Sequence, residues 1–308
     1  MVDSNSADYG GGIYAVAAQV TLSDATVTNN TAVVRGGGIN AVNSTTIVER
    51  TYSSSTCHHA LRCSELSGNR VTGTGSTANG GGLFASGGVT RISGTFIENN
   101  RVGSGRGMAV AVLNAPGSGG LSPDGLRIFG SVIATSGTGG PAAGSDSSVV
   151  HIENSSAALG FDTFSRNLAV PRIVYTPTTG STIYEVAIYG SIFDAASGVV
   201  ASPGASGAEP YGDCNRLHET TSTFATTSTR STALAPTFVN AAAGDYGLDT
   251  FSPMLDWCDA SYGYSIAMSA NGGVRPYDDP NFTAAFGNYD LGALERQPLD
   301  VIFKHGFE

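Results

Sequence analysis

The residues of this chain that are best placed for acid–base chemistry fall on and directly after the apolar run 149–152. His151 and Glu153 are two positions apart there, so on a strand they project from one face, which is the solvent face if the apolar residues between them point to the core. Asp162 and Arg166 follow along the chain. Polysaccharide lyases use acidic residues that hold Ca²⁺ with a basic group beside them, and glycoside hydrolases use paired carboxylates. The same four residues also suit an ordinary polar surface, and both interpretations stay open.

The four cysteines allow two kinds of chemistry. Cys57 and Cys63 close a short loop, and Cys214 and Cys258 flank the C-terminal region, so two disulfides with those pairings are expected in an oxidising compartment. The alternative is a Zn²⁺ site built from Cys57, the two histidines that follow it, and Cys63. That spacing matches no zinc signature, and adjacent histidines rarely reach the same metal ion.

Composition excludes several classes of protein. The 308 residues carry a net charge of −10 and a single lysine, Lys304, so no basic surface is available to neutralise nucleic-acid phosphates. No apolar run reaches the length of a membrane-spanning helix, and the first residues lack the basic and apolar regions of a signal peptide. The chain either stays inside the cell, or its export signal is missing from this sequence.

Two short words alternate along the first third of the chain. Glycine triplets followed by an apolar residue begin at Gly10, Gly36 and Gly80, with a weaker copy at Gly105. Between them an apolar residue precedes an asparagine by three positions, with the asparagines at 30, 69, 99 and 100. The segments between the words are β-branched or alternating, which is typical of strands and not of helices. A repeat of about 25 residues without a leucine ladder favours a parallel β-helix.

These observations predict an all-β protein, a right-handed parallel β-helix (solenoid) of roughly eight coils over residues 1–233, with a loop insertion at about 48–64. An irregular C-terminal capping segment is expected over 234–297, wrapping the last open coil, with a short tail over 298–308. The glycine triplets are interpreted as close backbone contacts rather than phosphate loops, since no helix follows them. Asparagines at the bends are expected to tolerate the left-handed conformation and to stack into an amide ladder.

The alternating words resemble the repeats of polymorphic outer-membrane proteins and of secreted bacterial right-handed parallel β-helix proteins, including adhesin-like ones. The C-terminal third resembles the end of such helices through a Ser-Pro-Met-Leu-Asp word ending at Asp256 and an Asp-Leu-Gly-Ala-Leu-Glu word from Asp290 to Glu295. The resemblance implies export to the extracellular space or cell surface. Asp245, Asp256, Asp290 and Glu295 belong to these terminal words and are expected to cap turns and bind backbone amides.

The leading functional prediction is a non-catalytic, exported or surface-associated monomer that binds a polysaccharide or another cell-surface component. The alternatives are a polysaccharide lyase or glycoside hydrolase, and a passenger fragment of a larger surface protein. No cofactor is expected, and Ca²⁺ enters only under the lyase alternative. Four aromatic residues on successive predicted strands could stack on sugars, but they are interpreted mainly as core: Tyr175, Tyr184, Tyr189 and Phe193.

Overall fold

The structure is a computed structural model, and it confirms the parallel β-helix. It describes residues 1–51, 62–103, 106–115, 125–136, 147–167, 170–177, 184–194, 198–200, 202–203, 210–218, 220–222, 224, 228, 230–259, 269–280 and 283–297. The strands stack in coils, where a coil is one complete circuit of the backbone. Every pairing among the first 26 strands is parallel, as a solenoid requires.

The first four coils contain the predicted repeats. The first coil comprises β1 (Val2–Asp3), β2 (Ser6–Tyr9), β3 (Ile13–Val16) and β4 (Gln19–Ser23), and the second comprises β5 (Thr26–Thr28), β6 (Thr31–Arg35) and β7 (Ile39–Glu49). The third comprises β8 (Glu65–Ser67), β9 (Arg70–Val71) and β10 (Leu83–Ser93), and the fourth β11 (Phe96–Glu98), β12 (Arg101–Val102), β13 (Val110–Leu113) and β14 (Leu126–Phe129).

The stack continues to residue 222. The fifth coil comprises β15 (Val132–Ala134), β16 (Ser148–Glu153) and β17 (Ala157–Gly160), and the sixth β18 (Thr163–Ser165), β19 (Arg172–Thr176) and β20 (Val186–Tyr189). The seventh comprises β21 (Ile192–Asp194), β22 (Val199–Val200), β23 (Ser202–Pro203) and β24 (Tyr211–Asp213), and the eighth β25 (Arg216–Leu217) and β26 (Thr221–Ser222). After the solenoid come β27 (Phe238–Asn240), a 3₁₀ helix (Ala241–Ala243) and β28 (Asp245–Leu248).

Three sheets run the length of the stack or part of it. An eight-stranded sheet takes one strand from each coil, in the order β1-β5-β8-β11-β15-β18-β21-β25; a fourteen-stranded sheet and a four-stranded sheet form the other sides. In-register pairing aligns equivalent residues, so the middle positions of the eight-stranded sheet form one buried apolar row. The row is Val27, Leu66, Ile97, Ile133, Phe164 and Phe193. Burial of this row supplies the hydrophobic stabilisation of the solenoid.

The predicted amide ladder is present at the bend after the eight-stranded sheet. The side chain of Asn30 donates from Nδ2 to Oδ1 of Asn69 at 3.0 Å, and Asn69 donates to Oδ1 of Asn100 at 3.1 Å. Each asparagine Oδ1 also accepts from the backbone N–H of the asparagine one coil earlier, at 3.0 Å in both cases. The ladder therefore satisfies buried backbone and side-chain groups inside the bend.

The glycine triplets are explained by their contact with this ladder. At Gly38, the third glycine of its triplet, a Cβ would lie 3.0 Å from Cγ of Asn69 and 2.7 Å from the carbonyl oxygen of the next coil. The equivalent third glycines, Gly12 and Gly82, would meet the ladder asparagines Asn30 and Asn100 in the same way. The glycine word and the asparagine word of the sequence are therefore in contact in the folded chain, and only glycine leaves room there for the asparagine amide.

The C-terminal segment lies along the side of the solenoid, which differs from the expected position over the last coil. It covers the outer face of the eight-stranded sheet, where the outward position is apolar at Phe96, Val132 and Ile192. Ala293 N–H donates to Oγ1 of Thr163 at 2.9 Å, and the Arg50 guanidinium reaches the carbonyl of Ala270 at 2.6 Å. Apolar residues on the outer face need cover, and this segment provides it.

One predicted disulfide is confirmed. Cys214 and Cys258 are bonded, with their Cα atoms 6.3 Å apart, and they join the seventh coil to the C-terminal segment. Cys63 is also disulfide-bonded, so it has no free thiolate for a Zn²⁺ site. Cys57 and the two histidines beside it lie outside the described residues, as does most of the predicted insertion.

Candidate functional site

His151 is fully buried, so the prediction that it faces solvent is wrong. Its side chain does point out of the solenoid, but the ring of Tyr175 packs edge-on against it with centroids 5.4 Å apart. Nε2 of His151 lies 3.2 Å from Oε2 of Glu153, and Arg106 pairs with the same oxygen at 3.0 Å. The hydrogen bond from His151 lowers the pKa of Glu153, although burial of the carboxylate acts in the opposite direction. This pair is a covered polar contact between coils.

Asp162 belongs to a second ladder, at the bend before the eight-stranded sheet. Its Oδ1 accepts from the backbone N–H of Ser131 at 2.8 Å, and its own N–H donates to Oγ of Ser191 at 3.1 Å. The next coil repeats the pattern with Asn215, whose Oδ1 accepts from Ser191 N–H at 3.1 Å. Asp162 is completely buried, and this burial raises the pKa of its carboxyl well above the usual value. Its position gives it a structural role.

Arg166 lies on a different side of the solenoid from His151. It follows β18 in the eight-stranded sheet, whereas His151 and Glu153 are on β16 in the fourteen-stranded sheet. The structure therefore does not bring the four predicted residues together. Of the aromatic residues considered, Phe193 lies in the main apolar cluster of the solenoid, as predicted, and Tyr184 is half-buried. Tyr175 and Tyr189 are buried outside that cluster, Tyr175 against His151 and Tyr189 against Phe161 beside the C-terminal segment.

Arg166 instead lines a cleft with residues that occupy the same position on neighbouring coils. Glu98, Ala134 and Ser165 are aligned in register at the ends of β11, β15 and β18. The residues that follow them, Asn99, Thr135 and Arg166, have φ of 55°, 50° and 55°. This left-handed backbone turns the chain into the ladder bend and aims the three side chains along one line. Stacked coils thus place an amide, a hydroxyl and a guanidinium side by side.

The C-terminal segment forms the opposite wall of this cleft. The wall consists of the 3₁₀ helix Ala241–Ala243, Gly244 and Tyr246, while Arg62 and Glu98 lie at the end of the cleft. The volume of this open cleft is about 450 Å³, which is large enough for one or two sugar rings. Small alanine and glycine residues keep this wall low. We call this space the arginine cleft.

The two arginines of the cleft differ in their partners. Arg62 forms an ion pair with Glu98, donates to the carbonyl of Gly244 at 2.9 Å and lies 4.5 Å from the centroid of the Phe96 ring. Arg166 has only a long hydrogen bond of 3.4 Å to the carbonyl of Ala241. Within the part of the chain that the structure describes, no carboxylate lies within ion-pair distance of Arg166. The cleft therefore carries a net positive charge in an acidic protein.

Burial shifts the pKa of two groups of the cleft, Glu98 and Tyr246. It raises the pKa of Glu98 although the charge and hydrogen bond of Arg62 act in the opposite direction. Burial, with the nearby Glu98 carboxylate, also raises the pKa of Tyr246 to about 12. Tyr246 is therefore neutral at physiological pH. Among the described residues that line the cleft, Glu98 is the one carboxylate, so the two-carboxylate arrangement of glycoside hydrolases is not formed by them.

Three of the four acidic residues of the terminal words, Asp245, Asp290 and Glu295, bind backbone amides as predicted, whereas the buried Asp256 takes part through its backbone N–H. Oδ1 of Asp290 accepts from Asp256 N–H at 2.9 Å, and Oε1 of Glu295 accepts from Tyr277 N–H at 2.8 Å. Glu295 also pairs with Nε of Arg275 at 2.9 Å, and neither side chain is exposed. Oδ1 of Asp245 accepts from the N–H of Gly247 at 3.0 Å. These contacts hold the C-terminal segment in shape.

Comparisons with known proteins identify no relative: no family model, curated protein or solved structure matches this chain. None of the helices in the described residues is long and apolar enough to cross a membrane. In the same residues, no group of three or more histidine, cysteine, aspartate or glutamate side chains is placed to hold a metal ion. The function therefore has to be inferred from the fold and from the geometry of the cleft.

Four cleft residues were missed from the sequence: Arg62, Glu98, Asn99 and Thr135. A signal for two of them exists. Asn99 and Thr135 each precede a residue of the bend, Asn100 and Ser136, and such positions form an outward row on successive coils. Arg62 has no comparable signal, because it lies outside the repeated words.

Proposed function

We propose that this protein is a non-catalytic, exported or cell-surface protein that binds an acidic polysaccharide in the arginine cleft. The observation that carries the proposal is Arg166, a guanidinium without a carboxylate partner among the described residues, directed into a space of about 450 Å³. A carboxylate or sulfate group of a sugar matches the planar donors of arginine. Asn99 and Thr135 beside it supply donors and acceptors for sugar hydroxyls.

The charge distribution favours an acidic ligand. Arg62 is already paired with Glu98, whereas Arg166 has its charge available. An anion that enters the cleft therefore meets one unpaired positive charge, close to the backbone carbonyls that already orient both guanidinium groups. Partial burial strengthens such a charge-assisted hydrogen bond relative to one in open water.

Binding without turnover is supported by the chemistry that the cleft offers. Hydrolysis of a glycosidic bond needs a second carboxylate at a fixed separation from the first. Among the described residues that line the cleft, Glu98 is the one residue with a carboxylate. Glu98 is in addition held in an ion pair with Arg62, so its carboxylate is already engaged by a side chain of the cleft. Export to an oxidising compartment is supported by the Cys214–Cys258 disulfide.

The test is affinity electrophoresis through gels that contain polygalacturonate, alginate, chondroitin sulfate or neutral dextran, with reducing ends and unsaturated products measured in parallel. We expect retardation by at least one acidic polymer, no product, and a loss of retardation in Arg166→Ala. Arg91→Ala removes an exposed arginine of β10 on another sheet and serves as the matched control.

Product formation would overturn the non-catalytic half of the proposal. Equal retardation of Arg166→Ala and Arg91→Ala would show that general charge, and not the cleft, holds the polymer. Absence of retardation by every acidic polymer would overturn the proposal as a whole.

A further inference from the structure

A second surface at the N-terminal end of the solenoid has features of a ligand site. Tyr14, Asn40 and Phe84 are in register on β3, β7 and β10, so their side chains form one outward column. Tyr14 is 58% exposed, and the neighbouring Tyr9 is 40% exposed, with the two ring centroids 6.3 Å apart. Two exposed aromatic rings at this spacing form a platform of the kind that stacks on flat apolar faces.

Buried polar atoms without partners lie next to this platform. Among the residues that the structure describes, neither Nδ2 nor Oδ1 of Asn40 has a hydrogen-bond partner, although the residue is fully buried. Nε of Arg35 and Oδ1 of Asn79 are likewise buried and without partners. Each such atom destabilises the fold when it is left unpaired, because it has lost its hydrogen bonds to water. Native proteins rarely leave several together, so the group calls for a functional explanation.

These three residues form one cluster with the aromatic rings. Arg35 and Asn79 are joined by a parallel bridge between coils. The Arg35 guanidinium lies 4.8 Å from the Phe84 ring centroid and 5.4 Å from that of Tyr9. Phe84 is the register neighbour of Asn40 on one side, and Tyr14 is its neighbour on the other. We call Tyr9, Tyr14, Arg35, Asn40 and Asn79 together the N-terminal surface.

We propose that the N-terminal surface binds one neutral hexopyranose unit of a glycan. The apolar face of the sugar stacks on Tyr14, and a rotation of this exposed side chain uncovers the Asn40 amide beneath it. Adjacent sugar hydroxyls, which both donate and accept, then pair with the side-chain amide of Asn40, with Oδ1 of Asn79 and with Nε of Arg35. The inference deepens the proposed function, on which it rests for the ligand class, but it uses separate residues.

The polar atoms of this surface match a neutral sugar. The Arg35 guanidinium faces the rings of Phe84 and Tyr9, so its charge is engaged in cation–π contacts with these two rings. The buried atoms without partners include both donors and acceptors, and sugar hydroxyls can pair with both kinds.

The experiment is saturation-transfer difference NMR with a panel of neutral hexaoses of glucose, mannose and galactose, followed by titration of ¹⁵N-labelled protein. We expect one hexaose to bind and to shift the amides of β3 and β7. Tyr14→Ala should weaken binding by about tenfold, the loss expected for one aromatic contact. Tyr14→Trp should restore it. Phe251→Ala, which removes an 84% exposed ring elsewhere, is the matched control.

Asn40→Ala should weaken binding further, and circular dichroism checks that this variant folds. If it does not fold, the affinity of Tyr14→Ala alone tests the proposal. The proposal is overturned if no neutral hexaose shifts these amides at millimolar concentration, or if Tyr14→Ala binds as the wild type does. It is also overturned if sedimentation shows that this face joins two copies of the protein. If the N-terminal surface binds no neutral sugar, the retardation of the protein by acidic polymers and its loss in Arg166→Ala are unaffected. The two proposals can therefore fail separately.

Discussion

The asparagine ladder makes a quantitative prediction for the substitution Asn69→Ala. Asn69 is completely buried, and its side chain takes part in four hydrogen bonds. It accepts from N–H and Nδ2 of Asn30, both at 3.0 Å, and donates to Oδ1 of Asn100 at 3.1 Å and to the carbonyl of Val27 at 2.9 Å. Alanine removes all four bonds and leaves several partners buried.

The expected loss follows from the usual value of such bonds. A net contribution of about 1 kcal/mol for each of the four gives a decrease of about 4 kcal/mol in the free energy of unfolding. Asn5→Ala is the matched control, because Asn5 is exposed and its Nδ2 donates only to Asn30 and to the carbonyl of Asp3, both at 3.0 Å. For this control we expect a decrease of less than about 1 kcal/mol.

The assay is equilibrium unfolding in guanidinium chloride followed by circular dichroism, with the dependence on denaturant compared between variants to check that the same surface is exposed. The reasoning is refuted if Asn69→Ala loses less than about 1 kcal/mol, or if the two variants lose the same amount. Either result would mean that the ladder marks the bend without stabilising it.

Three further predictions concern the rest of the fold. Gly38→Ala, which places a Cβ 2.7 Å from a carbonyl oxygen of the next coil, should cost at least about 2 kcal/mol in the same unfolding assay. Burial, opposed by the charge of Arg275, raises the pKa of Glu295 from 4.5 to about 8. The carboxyl therefore binds its proton more tightly in the folded state, and the contribution of this group to stability is full below about pH 4.5 and is lost as pH rises to about 8. Thermal unfolding should find this pH-dependent loss reduced in Glu295→Gln. Reduction of the Cys214–Cys258 bond, which spans 44 residues, should lower the free energy of unfolding by about 4 kcal/mol through the chain entropy of the unfolded state. The C-terminal segment should then be the first part cleaved in limited proteolysis. Equal cleavage with and without reductant would contradict this prediction.

Much of the fold is predictable because the repeat words report direct contacts. A glycine triplet and an asparagine recur together since Gly38 and Asn69 touch in the folded chain, and the same holds for Gly82 and Asn100. The period of the words then sets the length of a coil. What the period cannot give is the position of the C-terminal segment, which has no repeat of its own. Its contact with the side of the solenoid depends on apolar outward residues such as Phe96.

The candidate site was harder to predict, because alternation along a strand does not decide exposure. His151 points outward as expected, yet the ring of Tyr175 on the next coil covers it. Asp162 was considered for its chemistry, but its position in a bend ladder assigns it to the backbone. Arg166 was considered for its residue type, and the structure places it in the arginine cleft. Its actual neighbours, Arg62 and Glu98, come from distant segments that the spacing in the sequence does not connect.

The central claim is that the arginine cleft binds an acidic glycan through Arg166 without cleaving it. The most direct measurement is isothermal titration of wild type, Arg166→Ala and Arg91→Ala with a purified oligogalacturonate, at low and high salt, with the oligosaccharide recovered and sized afterwards. The account predicts that Arg166→Ala binds at least about tenfold more weakly, as the loss of a charge-assisted hydrogen bond requires. It also predicts that Arg91→Ala binds as wild type does and that the oligosaccharide is recovered intact. Equal affinity for all three proteins, or a shortened oligosaccharide, would contradict it.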